Sequence, residues 1–279
     1  MSAPLVEVEH LSRHYPIGRH DVHKAVDDVS LTIARGETFG LVGESGSGKS
    51  TLARLVLGLD RPTAGSVRVA GHDLAELGGR ALRAQRRHMQ IVLQDPVAAL
   101  NRRKTIGQIV GLPLAVHERI GRDARAERVR ELLALVGLPA AFAVRYPHEL
   151  SGGQCQRVGI ARAIALQPDL IVLDEAVSAV DVSIQAQILN LLRDLQDRLG
   201  LTYLFVSHNL AVVRYMSSTV AVMQRGRIVE TGTRERLFAR PEHPYTRELL
   251  AAVPEPTPPD APPADQRPTA VPAPERAPS

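Results

Sequence analysis

Residues 43–50 read GESGSGKS, set between the apolar run TFGLV and the leucine-rich TLARLVLGL. Gly43, Gly46 and Gly48 let the backbone take conformations closed to other residues, so the loop can wrap an anion with successive amides. A helix that starts at the loop directs its positive end at the same anion, and Lys49 adds a full charge. Such a strand–loop–helix unit favours an α/β fold over a helical bundle.

The remaining pattern agrees with that expectation. Leu5–Ser12 and Asp28–Gly43 carry short, partly alternating apolar segments, the second broken at Gly36, and predict strands joined by a turn. Val67–Gly71 and Met89–Asp95 are strand candidates on either side of the arginine-rich ALRAQRRH. From Arg122 to Val136 apolar residues recur at helical spacing, and the span from 97 to about 168 reads as a helical insertion. LIVLD, SIQAQILNLLRDLQDRL, LTYLFVSH and TVAVMQ then alternate strand and helix again. We expect one domain over residues 1–253. The proline-rich stretch 254–279 has too little apolar side chain to offset ordering and is expected to be a disordered tail.

Composition narrows the class. The chain has 279 residues, 44% of them hydrophobic, which suffices for a substantial core. Its formal charge of +4 comes from basic residues interspersed with acids, so nucleic acid is not expected as a partner. Arg80, Arg83, Arg86 and Arg87 are read as a solvated helix face. MSAPLVEVEH is neither an export signal nor a span, and we expect the protein on the cytoplasmic side. The single cysteine, Cys155, is expected to be structural and excludes an iron–sulfur cluster built from cysteines.

LIVLDE at residues 170–175 adds chemistry to the anion loop. A buried strand would aim its terminal acids into the site, Asp174 helping to hold Mg²⁺ and Glu175 polarising or deprotonating an attacking water. Lys49 would approach the β- and γ-phosphates of a nucleotide, with the Ser50 hydroxyl on the metal. A third element, LSGGQ at residues 150–154, places a serine where it would cap a helix.

In this order the three elements resemble the ATP-binding cassette ATPases. Residues 43–50 are similar to the Walker A motif, 150–154 to the family signature and 170–175 to Walker B. The resemblance covers about residues 5–253. It implies a P-loop NTPase fold with a RecA-like core, an antiparallel β subdomain and a helical signature subdomain. It also implies ATP and Mg²⁺ as ligands. Gly43, Glu44, Ser45, Gly46, Ser47, Gly48, Lys49, Ser50 and Thr51 would cradle the phosphates; Ser50, Gln94 and Asp174 would serve the metal. Glu175, His208 and Gln94 would be catalytic, with His208 on the γ-phosphate and Gln94 as metal sensor. Asp181 would be the D-loop residue. Ser151, Gly152, Gly153 and Gln154 would face ATP held by a second subunit, and Tyr15 would stack on adenine.

RPEHPYTRELLAAVP, together with QDPVAALN and DEAVSAVDVSIQAQ, is similar to the dipeptide, oligopeptide and nickel importer group. That resemblance implies a subunit on the cytoplasmic face of the inner membrane that works with a nonidentical second ATPase, two permeases and a solute-binding protein. Peptide import leads; nickel import and a soluble ATPase of phosphonate degradation stay open. The sequence departs from the pattern at Cys155, Val180 and Arg102. Ile106, Ile109, Val110 and Leu114 are either a face for the membrane partner or core.

Overall fold

The computed structural model describes residues 3–18, 21–178 and 181–252. Val180 and the expected tail at 254–279 lie outside the described residues.

Ten strands form two sheets among the described residues. An antiparallel sheet holds β1 (Val6–Ile17), β2 (Asp21–Ile33), β4 (Ala64–Val69) and β5 (His72–Asp73), in the order β2-β1-β4-β5. A six-stranded sheet holds β3 (Thr38–Val42), β6 (Met89–Val92), β7 (Leu170–Asp174), β8 (Thr202–Val206), β9 (Thr219–Gln224) and β10 (Arg227–Thr233), in the order β10-β9-β3-β8-β7-β6. Every pairing in the second sheet is parallel except β9 with β10.

Ten α-helices accompany them: α1 (Lys49–Val56), α2 (Gly79–Gln85), α3 (Ile106–Val110), α4 (Leu112–His117), α5 (Arg122–Leu135), α6 (Gly152–Ile164), α7 (Val182–Leu199), α8 (Leu210–Met216), α9 (Arg234–Ala239) and α10 (Pro244–Ala251).

Strands β3, β7, β8 and β9 of the six-stranded sheet are buried on both faces, as unbroken apolar strands require. Side chains alternate, so each strand feeds two cores. Leu41, Leu170, Val172, Leu204, Val206, Ala221 and Met223 pack with α1 and the antiparallel sheet. Val42, Ile171, Leu173, Tyr203, Phe205, Val220 and Val222 pack with α3, α5, α6, α7 and α8.

The span from 97 to 168 carries α3–α6 and no strand. Ile106, Ile109, Val110 and Leu114 are all buried, which settles them as core. Leu93, Leu112, Val116 and Val144 are exposed aliphatic side chains in and beside that span. Cys155 is buried, as expected, with its Sγ 3.5 Å from the Pro147 carbonyl.

Two expectations need correction. Arg86 is not part of a solvated face: it is half-buried and its guanidinium donates to the Gly58 carbonyl, tying the turn after α2 to the end of α1. β1 and β2 run well past the predicted Leu5–Ser12 and Asp28. Their outer halves pair with each other, Tyr15 opposite His23, so backbone hydrogen bonds sustain strand where no apolar pattern announces one.

Candidate active site

Parallel pairing puts the ends of four strands at one edge. Leu41 lies opposite Val206, Val206 opposite Asp174, and Leu173 opposite Val92. The residues that follow are Gly43–Ser50, Ser207–His208, Glu175 and Leu93–Gln94. Ligand crevices of open α/β sheets lie outside such carboxyl ends.

The loop is fixed by its glycines. Gly43 has φ +151°, and a Cβ there would stand 2.1 Å from the Met223 carbonyl oxygen. Gly48 has φ +106°, and its Cβ would stand 2.0 Å from the Ala25 carbonyl oxygen. Strands from both sheets therefore press on the loop backbone. Inside it, the Lys49 ammonium donates to the carbonyls of Gly43 (2.8 Å) and Glu44 (2.6 Å) and to Ser47 Oγ (3.3 Å). Burial lowers the Lys49 pKa, and the nearby charges of Glu175, Asp174 and Glu44 oppose that only in part. The Ser47 carbonyl accepts the Gly226 amide at 2.9 Å.

The Ser50 hydroxyl donates to Asp174 Oδ1 at 3.1 Å, joining the first turn of α1 to the end of β7. Burial raises the Asp174 pKa, the Glu175 charge adds to the rise, and the Ser50 hydrogen bond opposes it. Glu175 is a non-glycine residue at φ +50°, a conformation that costs of order 1–3 kcal/mol. It is over-determined: its amide donates to the Val206 carbonyl at 2.9 Å, and its own carbonyl accepts from the amide and hydroxyl of Ser178. The strained turn aims the carboxylate at His208, whose Nδ1 lies 3.2 Å from Glu175 Oε1.

Gln94 follows β6 and is exposed at the same edge. Ser45, Gly46 and Thr51 lie in the loop and the first turn of α1. Tyr15 sits on β1, where the Arg13 guanidinium covers one ring face at 4.4 Å and the hydroxyl donates to Asp60 Oδ2 at 2.6 Å.

Ser151 caps α6 reciprocally with Gln154: the Gln154 amide donates to Ser151 Oγ, and the Ser151 amide to Gln154 Oε1. Ser151 and Gly152 are exposed, Gly153 is buried against Ile184, and Asp181 opens α7 as an exposed N-cap. Among the described residues, no hydrogen bond or ion pair joins 150–154 to the loop. One contact of the loop had no signal in the sequence: the hydroxyl of Tyr245, on α10, accepts the Glu44 amide at 3.1 Å.

A family profile described as "ABC transporter" matches residues 26–178, and one described as "Oligopeptide/dipeptide transporter, C-terminal region" matches 229–279. A Brucella ovis protein named as a peptide import ATP-binding protein is 56% identical over 256 residues, covering 91% of this chain and 80% of its own. A peptide ABC transporter ATP-binding protein of Sinorhizobium fredii is 54% identical over 264 residues, covering 92% and 75%. Among solved structures, the ATP-binding cassette MJ0796, a dimer in a post-hydrolysis state with ADP and Pi, superposes with a TM-score of 0.75 at 32% identity, covering 82% of this chain and 98% of its own. The cbiO1 subunit of the Clostridium perfringens cbiONQ transporter gives 0.77 at 28%, covering 86% and 92%.

Proposed function

This chain belongs to the ABC transporter ATPases, and we propose that it hydrolyses ATP to drive import of dipeptides or oligopeptides through a pair of membrane permeases. The observation that carries the reading is the presence in one chain of the anion loop with its acids and the C-terminal segment matched from residue 229. No described helix is long and apolar enough to cross a membrane, so the path for the peptide would belong to partners. The chain would sit on the cytoplasmic face of that membrane, fed from the other side by a solute-binding protein.

The chemistry follows from the edge of the sheet. Loop amides and the Lys49 ammonium bind the phosphates and stabilise charge that develops on them. Glu175 takes the proton of the attacking water, and His208, paired with that carboxylate, would contact the γ-phosphate. Magnesium fits the donors present: Ser50 and Asp174 offer adjacent oxygens, suited to a hard cation. When bound it neutralises phosphate charge; Gln94 would complete its surroundings. Tyr15 would stack on adenine through the ring face that Arg13 leaves open.

The exposed cap at Ser151 and Gly152, unconnected to this chain's own loop, supports a second subunit lying head to tail, which would be a nonidentical relative. Ser151, Gly152 and Gly153 of one chain would then close over ATP held by the other, with Asp181 at the same junction.

Reconstitution in proteoliposomes with two permeases and a solute-binding protein of a peptide importer tests the reading. Peptide should raise ATP turnover and accumulate inside, and Glu175→Gln should abolish both. Stimulation by nickel alone, or co-purification with soluble enzymes in place of permeases, would replace it.

A further inference from the structure

The HPYT segment does more than mark a family. His243 caps α10, its Nδ1 accepting the Tyr245 amide at 3.2 Å, and Pro244 opens the helix where no amide is needed. Thr246 is fully buried. The carboxylate of Glu230, on β10, accepts the amides of Glu242 (2.9 Å) and His243 (3.0 Å), so the start of α10 is fixed to the sheet. Tyr245, only 5% exposed, then extends from this anchored turn to the phosphate loop.

Its hydroxyl accepts the Glu44 amide at 3.1 Å, while the Glu44 carbonyl accepts from Lys49 Nζ at 2.6 Å. Both polar backbone groups of Glu44 are thereby engaged. An amide committed to Tyr245 is not a phosphate donor, so this position shapes the loop while its neighbours bind the anion. We propose that Tyr245 is a positioning residue of the ATP site: its hydroxyl holds Glu44, and through the Glu44 carbonyl the Lys49 ammonium, in the arrangement that receives the triphosphate. Losing the hydroxyl strands the Glu44 amide, and the loop escapes by turning that amide to water. The binding-competent fraction falls, and apparent affinity falls by the same factor. Once bound nucleotide has restored the loop, the Lys49 contact with the phosphates is the same as in the wild type.

The test is Tyr245→Phe in the full chain, which keeps the buried ring. Affinity for a fluorescent ATP analogue should fall about three- to tenfold, the range of one hydrogen bond to an otherwise unpaired amide. KM for ATP should rise alike, with kcat at saturation within about twofold. A merely structural role would lower the melting temperature and leave KM unmoved. Hydrogen exchange of the Glu44 amide supplies an independent arm: in the nucleotide-free protein its protection should fall in Tyr245→Phe while the amides inside α1 keep theirs. Wild-type affinity and KM in Tyr245→Phe, a fall in kcat at unchanged KM, or unchanged protection of the Glu44 amide would overturn the assignment.

Discussion

His208 Nδ1 lies 3.2 Å from Glu175 Oε1, so the residues after β8 and β7 form a single unit. Glu175 is 20% exposed and held at φ +50°, whereas His208 is 55% exposed and less constrained. The backbone aims the acid; the histidine steadies it from the solvent side.

Glu175→Gln keeps size and removes the proposed base. We expect kcat to fall by about 10²–10⁴, the usual contribution of a general base, while ATP still binds. His208→Ala should lower turnover as well, and the double variant should be little worse than Glu175→Gln because the two act together. Single-turnover hydrolysis checks this; strictly multiplicative losses would show that they act apart.

Asp174 carries a cost in the nucleotide-free protein. Burial raises its folded pKa above the unfolded value, so the folded state favours the protonated acid, and stability falls as pH rises through the interval between the two values. Asp174→Asn removes the charge and keeps an oxygen for Ser50. Its nucleotide-free melting temperature should exceed wild type at pH 7, by a margin that shrinks toward pH 4, while hydrolysis is lost. A margin independent of pH would contradict the linkage.

Much of this was legible beforehand. The loop, Asp174, Glu175 and His208 announce themselves because each needs a particular residue type after an apolar strand, and the strands before them are the unbroken apolar runs that a sheet buried on both faces requires. Other features carry no local pattern. Arg86 looks like any surface arginine until the end of α1 offers the Gly58 carbonyl beside it. The outer halves of β1 and β2 mix exposed polar and apolar residues and owe their strand form to each other. Tyr245 meets Glu44 across 201 positions, and only the chain's return to the sheet edge brings them together.

Gly48→Ala should be severe. The added Cβ would lie 2.0 Å from the Ala25 carbonyl oxygen, a backbone atom that cannot rotate away, at a φ of +106°. We expect a loss of about 2 kcal/mol or more in stability and no nucleotide-dependent rise in melting temperature. Gly46→Ala, with open space around its Cβ position but φ +78°, should cost about 1–2 kcal/mol, from backbone strain alone. Equal effects at the two positions would remove steric contact as the cause.

Asp27 joins the two sheets. It accepts Arg227 Nε at 2.9 Å and Nη2 at 2.6 Å, and its backbone amide donates to the Gly226 carbonyl at 2.8 Å, two residues from the Ala25 carbonyl that abuts Gly48. The Arg227 hydrogen bonds, more than any other influence, hold its carboxyl below the usual carboxylate range. A depressed folded pKa adds stability above the unfolded value, near 4, and that stability disappears as pH falls through the folded value. Asp27→Asn should therefore lower the melting temperature at pH 7 by about 2–4 °C, as for a pair whose arginine is mostly exposed. The gap should close as pH drops below about 4. Because the pair braces the strand that presses on Gly48, ATP affinity should weaken with it. A gap as large at pH 3 as at pH 7 would contradict the linkage, and an unchanged affinity at pH 7 would locate the bracing of the loop elsewhere.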